Sequence, residues 1–196
     1  MTRRIIDFEL PERFATGTIS EDGERTFFLQ AVQGREVTTV RLEREQVAVL
    51  ADRVLAIIDE VERRGLTAID AGPAGELDER PLEQPLDEEF HVGTMIIAWD
   101  DDVDQVVVEA RSMTFDAGAG DVAVRDEEDV DGDEIPDDAP IGPDVLRVHL
   151  TPHMAQQFAR RANSVVAGGR PTCPYCGAVL EPSGHFCTRG FDDLVH

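Results

Sequence analysis

The chain has 196 residues, 41% of them hydrophobic, and its 18 basic residues against 41 acidic ones give a net charge of −23. That length allows one or two compact units with a sizeable core, while the charge disfavours nucleic acid and anionic membranes over most of the surface. Every basic residue is arginine, which excludes a Walker A loop, a Schiff-base lysine and a lysine general base and points toward a GC-rich genome.

The first stretch, MTRRIIDFELPER, carries two arginines but no long apolar run, so no signal peptide is expected. Strand signals then follow in order. Phe14 to Ile19 reads as a strand ended by the turn residues Glu21-Asp22-Gly23. Arg25 to Val32 reads as a second strand, and Val37 to Leu42 as a third after Gln33-Gly34. A helix is expected from about Arg44 to Arg64. Its apolar residues Val47, Leu50, Ala51, Val54, Ile57, Ile58 and Val61 recur at three- and four-residue steps and share one face.

The same order returns further on. Phe90-His91-Val92-Gly93-Thr94 repeats the F-x-x-G-T of residues 14–18, Val106 to Ala110 parallels Phe27 to Ala31, and Val145 to Leu150 parallels Val37 to Leu42. An offset of 108 turns the helix face Val47, Leu50, Ala51, Val54, Ile57, Ile58 into Ala155, Phe158, Ala159, Ala162, Val165, Val166, and every position stays apolar. Thr151-Pro152 supplies a capping hydroxyl and a first-turn proline for this second helix.

The expected fold class is therefore α+β: two β-β-β-α repeats, each with antiparallel strands and one long helix, plus a small C-terminal zinc hairpin. Repeat one spans about 5–65 and repeat two about 90–167, together a duplicated domain over 1–167, with a tail over 168–196. Residues 66–89, rich in Gly, Pro and acid, link the units. Residues 116–143 form an insertion centred on DEEDVDGDEIPDD, too acidic to bury apolar surface by itself. Asp100 to Asp104 is expected to be a hairpin turn.

Most candidate sites fail on residue pattern. The run Asp129, Asp131, Gly132, Asp133 approaches a calcium loop, but the register puts Glu127 first and Asp138 twelfth, and flanking helices are missing from the pattern. His149 falls on the outward phase of a strand and His153 in the first turn of a helix, which leaves them as surface histidines. G-x-S-x-G, H-E-x-x-H and G-x-G-x-x-G are all absent, and nothing reads as a catalytic constellation.

The three cysteines are different: they lie together as C-x2-C-x8-H-x-C, from Cys173, Cys176, His185 and Cys187. Two thiolates spaced by two residues chelate one ion from a tight turn. Pro182-Ser183-Gly184 turns the chain, and alternation along the returning strand puts His185 and Cys187 on one face. Four such donors suit tetrahedral Zn(II) in a structural role, with no open position for a catalytic water. A redox C-x-x-C, spare thiols without metal, and His196 in place of His185 are the competing readings.

So few cysteines speak against an extracellular disulfide framework. No apolar run approaches the roughly 18–20 residues that span a bilayer. The expected compartment is the cytoplasm.

Arg13 to Thr18, Thr26 to Ala31, Phe90 to Ala98 and Gly169 to Cys187 together carry a resemblance. The chain resembles an actinobacterial domain-of-unknown-function family whose members share an R-F-x-x-G-T opening, a T-F-F-L-Q-A strand and a terminal C-P-x-C-G…G-H-x-C segment. The resemblance implies an uncharacterised cytoplasmic protein, often encoded near a histidine-phosphatase-like protein and mycothiol-pathway genes, with no activity to transfer. Relatives typically continue after the last cysteine with proline-arginine and a basic, tyrosine-containing tail. Here Thr188-Arg189 leads instead into the acidic Phe191 to His196.

The function expected from these features is a non-catalytic, zinc-containing binding or adaptor module with a protein partner and no membrane. One alternative is nucleic-acid or transcription-complex binding. Residues 145–191 hold Arg147, Arg160, Arg161, Arg170 and Arg189 against Glu181 alone, a net +4 that leaves −27 elsewhere. Such binding would use Arg160, Arg161, Arg170 and Arg189. The other alternative is an enzyme, whose sign would be a polar pocket between the repeats.

Overall fold

The computed structural model describes residues 3–21, 24–65, 77–113, 124–126, 139, 141–168 and 173. Among these residues eight strands and two helices are formed: β1 (Ile5–Glu9), β2 (Arg13–Glu21), β3 (Glu24–Gln33), β4 (Glu36–Leu42), α1 (Arg44–Arg64), β5 (Glu88–Asp100), β6 (Gln105–Ser112), β7 (Val124–Asp126), β8 (Val145–Leu150) and α2 (Pro152–Val166). The fold is α+β with a mixed sheet.

Seven strands follow one hydrogen-bonded path, β1-β8-β6-β5-β4-β3-β2, and β7 pairs with β5 beside it. Two antiparallel meanders, β2-β3-β4 and β5-β6-β8, meet where β4 and β5 pair in parallel. The path ends at β1 and β2, which are consecutive in the chain with only residues 10–12 between them, so it returns on itself.

Local chemistry explains most element limits. At the start of α1, Gln46 Oε1 accepts from the Glu43 backbone N–H at 2.6 Å, and Gln46 Nε2 donates to Val92 O at 3.1 Å, tying the helix to β5. At the start of α2, the Thr151 hydroxyl accepts from Met154 N, as the Thr-Pro pair predicts. The acidic hairpin turn falls where expected, with Asp100 opposite Gln105.

Alternation sorts the strands into faces. Phe27, Leu29, Ala31, Val40 and Leu42 point inward with Met95, Ile97, Val106, Val108, Leu146, Val148 and Leu150. Both helices lay their apolar stripes on these residues and pack against each other, making a single core. Phe14 of β2 meets Phe158 of α2 with ring centroids 4.6 Å apart.

Three sequence expectations need correction. β1 was not anticipated: Phe8 is fully buried because Ile5 to Glu9 pair in parallel with Val145 to His149, a partner far along the chain. The linker is not irregular throughout. Residues 77–87 form a strap across the outer face of β2 and β3, where Leu82 packs with Ala15 and Phe28 as a second small cluster, and β5 begins already at Glu88. The insertion is not wholly loop either, since Val124 to Asp126 pair with Met95 to Ile97 as β7.

Candidate metal centre

Of the four expected zinc ligands, Cys173 lies among the described residues; Cys176, His185 and Cys187, and the competing His196, lie outside them. Cys173 is 4% exposed. Burial lowers the pKa of the Arg160 guanidinium on α2, and electrostatic attraction to Cys173 opposes that shift. Among the described residues no group of three or more His, Cys, Asp or Glu side chains is placed to hold a metal ion. The acidic run from Glu127 to Asp138 also lies outside them.

The two histidines set aside from sequence have ordinary partners. His149 Nε2 stands 3.4 Å from Asp7 Oδ1, and exposed His153 is 2.9 Å from Gln157. Beside His149, a row of half-buried charges crosses β8 and β6: Glu109 takes Arg147 at 2.6 Å and Arg111 at 2.8 Å.

The arginines of α2 are the feature that sequence reasoning misplaced. Arg160 and Arg161 are each 7% exposed, which removes them from any nucleic-acid surface. Arg161 Nε donates to Thr16 O at 2.6 Å, one terminal nitrogen donates to Arg80 O at 2.8 Å, and the other bonds Asp78 O. Arg13 approaches the strap too, donating to Asp78 Oδ2 at 2.7 Å and to the Pro81 and Arg80 carbonyls. Burial works against ionised Asp78, but hydrogen bonds from Arg80 and Arg13 outweigh it and hold the carboxyl well below the usual carboxylate range. One sequence signal was available: α2 contains no acidic residue, so partners for its arginines had to come from elsewhere.

A cleft of about 260 Å³ opens where the strap meets β2 and the end of α2. It is lined by Thr18, Arg25, Asp78, Arg161 and Ser164 among others, from both meander halves of the chain. Three of its charged groups are already engaged: Arg25 donates to Val165 O at 3.0 Å, and Arg161 and Asp78 serve the strap. The lining therefore brings hydroxyls and committed ion pairs, without histidine or cysteine.

The topology defines an α+β domain in which two three-stranded meanders share one core. The match that places the chain is a family model described as "Protein of unknown function (DUF3090)", covering residues 6–187, and the chain belongs to this family. No curated protein and no solved structure matches it. None of the helices among the described residues is long and apolar enough to cross a membrane.

Proposed function

We propose that this chain is a duplicated α+β scaffold whose C-terminal segment is stapled by a structural Zn(II) on Cys173, Cys176, His185 and Cys187, and that it acts as a binding or adaptor module toward a protein partner. The observation that carries the reading is the near-complete burial of Cys173. A segment too short to build its own core gains order from a metal and from an anchor on a folded neighbour. Closed four-ligand coordination leaves the ion without a place for substrate, hence the non-catalytic role.

Duplication accounts for the shared order of elements. Each meander is followed by a helix, and the offset of 108 aligns Val47, Leu50, Ala51 and Val54 with Ala155, Phe158, Ala159 and Ala162, all of them buried. Superposing residues 13–64 on 88–166 should pair Val54 with Ala162 and Ile58 with Val166.

Metal analysis of the purified protein tests the centre. A single Zn(II) per chain is expected, lost in Cys176→Ser and in His185→Ala and kept in His196→Ala. Full zinc in His185→Ala would show the ligand set to be wrong, and a metal-free protein with a Cys173–Cys176 disulfide would favour redox chemistry. Co-purification from the native host identifies the partner.

A further inference from the structure

Three guanidinium groups meet around one carboxylate where the strap meets β2 and α2. Asp78 lies 2.7 Å from Arg13 Nε, 2.9 Å from Arg80 Nε and 3.7 Å from a terminal nitrogen of Arg161. The side chains of Arg13 and Arg161 are 6% and 8% exposed, and that of Arg80 is 70% exposed. Both buried groups donate to the same carbonyl, Arg80 O, at 2.7 and 2.8 Å, so the two cations stand side by side. Burial lowers the Arg161 pKa, and the Arg13 charge lowers it further.

The strap orders these cations without balancing them. Its carbonyls accept hydrogen bonds but carry no formal charge, and Asp78 sets one negative charge against three positive ones. A charge left uncompensated away from water is strongly destabilising, so the buried surplus calls for a further anion. Glu12 and Glu79 lie nearby, but both are exposed to water that screens their charge.

Donors remain as well. A guanidinium has five N–H donors. Arg13 uses three, on Asp78 Oδ2, Pro81 O and Arg80 O. Arg161 uses three, on the carbonyls of Thr16, Asp78 and Arg80. Arg80 forks onto Asp78 through Nε and Nη2 and keeps Nη1 free among the described residues. A cavity of about 100 Å³ opens beside these groups, lined by all three arginines with Phe14, Phe158 and Met154 as an apolar wall. Planar forks reaching in from three elements suit a tetrahedral oxyanion, with its several terminal oxygens, better than a flat carboxylate.

We propose that this cavity is a phosphate site: it takes the doubly charged phosphoryl group of inorganic phosphate or of a phosphomonoester, held by exposed Arg80 and by the spare N–H groups of buried Arg13 and Arg161. The site is independent of the zinc reading and survives its failure.

Titration with inorganic phosphate and with phenyl phosphate, in chloride at constant ionic strength, tests it by calorimetry and by phosphorus NMR. Wild type should bind one equivalent saturably. Arg80→Gln should weaken binding on the order of 10–100-fold, as losing a hydrogen bond to a charged group does. It should fold normally, because Arg80 fastens the strap to α2 through its carbonyl, not its side chain. Asp78→Asn should tighten binding while lowering stability, since it removes the carboxylate that competes for the arginines. Arg64→Gln, which alters an exposed α1 arginine paired with Glu60, should leave binding unchanged. Tighter binding of phenyl phosphate than of phosphate would make a phosphomonoester the ligand; equal or weaker binding would make it the free ion. No saturable binding of either probe overturns the proposal. So does wild-type affinity in Arg80→Gln, or weaker binding in Asp78→Asn.

Discussion

Gly17 and Gly93 occupy the same place in the two F-x-x-G-T motifs, and each is small because something approaches it closely. A Cβ on Gly17 would stand 2.8 Å from Leu82 Cγ, a side chain of the strap; on Gly93 it would stand 2.9 Å from Met113 Cα, part of the backbone. Leu82 can shift and the Met113 backbone cannot easily do so, hence Gly93→Ala should destabilise more than Gly17→Ala in chemical denaturation. Leu82→Ala alone should cost about 2–4 kcal/mol, as buried large-to-small changes do. Gly17→Ala combined with Leu82→Ala should cost less than the two added, because the new methyl fills the space that Leu82 vacates. Asp78 gives a pH test at the same scale. Its folded pKa lies below the unfolded one, so its contribution is complete above the ordinary carboxylate value and is lost as pH falls toward the folded pKa. Asp78→Asn should therefore melt lower than wild type at neutral pH, with the gap narrowing below about pH 4. Residue type alone showed that Gly17 and Gly93 mattered as a repeated motif. What each one accommodates was not legible, because Leu82 and Met113 reach them through tertiary packing.

Elements whose pattern is local were readable from sequence. The helix at Arg44–Arg64 follows from its apolar steps, and the strands at 25–32 and 37–42 differ from those formed by only a residue or so at each end. β1 and β7 were not readable, for a shared reason: each is a short segment held by parallel pairing with a distant strand, β8 and β5 respectively. The strap escaped notice because its composition is that of a loop. Its fixity comes from partners outside it, including Gln30, whose side-chain amide donates to Glu83 O at 3.1 Å and accepts from Glu83 N at 2.8 Å. β7 changes what removing the insertion should do. Composition predicts that a short Gly-Ser linker in place of residues 118–140 leaves stability unchanged. That replacement also deletes the pairing with Met95 to Ile97, and backbone bonds contribute roughly 0.5–1.5 kcal/mol each. A loss on the order of 1–3 kcal/mol is expected by urea denaturation, and a replacement that keeps Val124 to Asp126 in place should recover most of it.

At the scale of the whole molecule, two halves, each a meander followed by a helix, raise the question of whether each folds alone. The packing argues that they do not. Leu50 of α1 and Phe158 of α2 belong to the same buried cluster, and Phe14 in the first half stacks on Phe158 in the second. Strand pairing crosses between the halves twice, at β4 with β5 and at β1 with β8. Arg161 adds a third tie by reaching from α2 to Thr16 O and to the strap. A fragment holding only the first half would expose the apolar face of β3 and β4 and one side of α1, without the partner surface that removes them from water. At about 25 cal/mol per Å² of apolar area, that loss outweighs what one helix on three strands retains. Fragments 1–72 and 73–196 should accordingly lack native near-UV dichroism and dispersed amide resonances when purified separately, and should regain both when mixed. The intact chain should unfold in one transition of the described domain, with Leu50→Ala and Phe158→Ala each lowering its stability by about 2–5 kcal/mol. A folded 1–72 fragment, with a cooperative melt of its own, would show that the halves are independent and that the shared core is a docked interface between them.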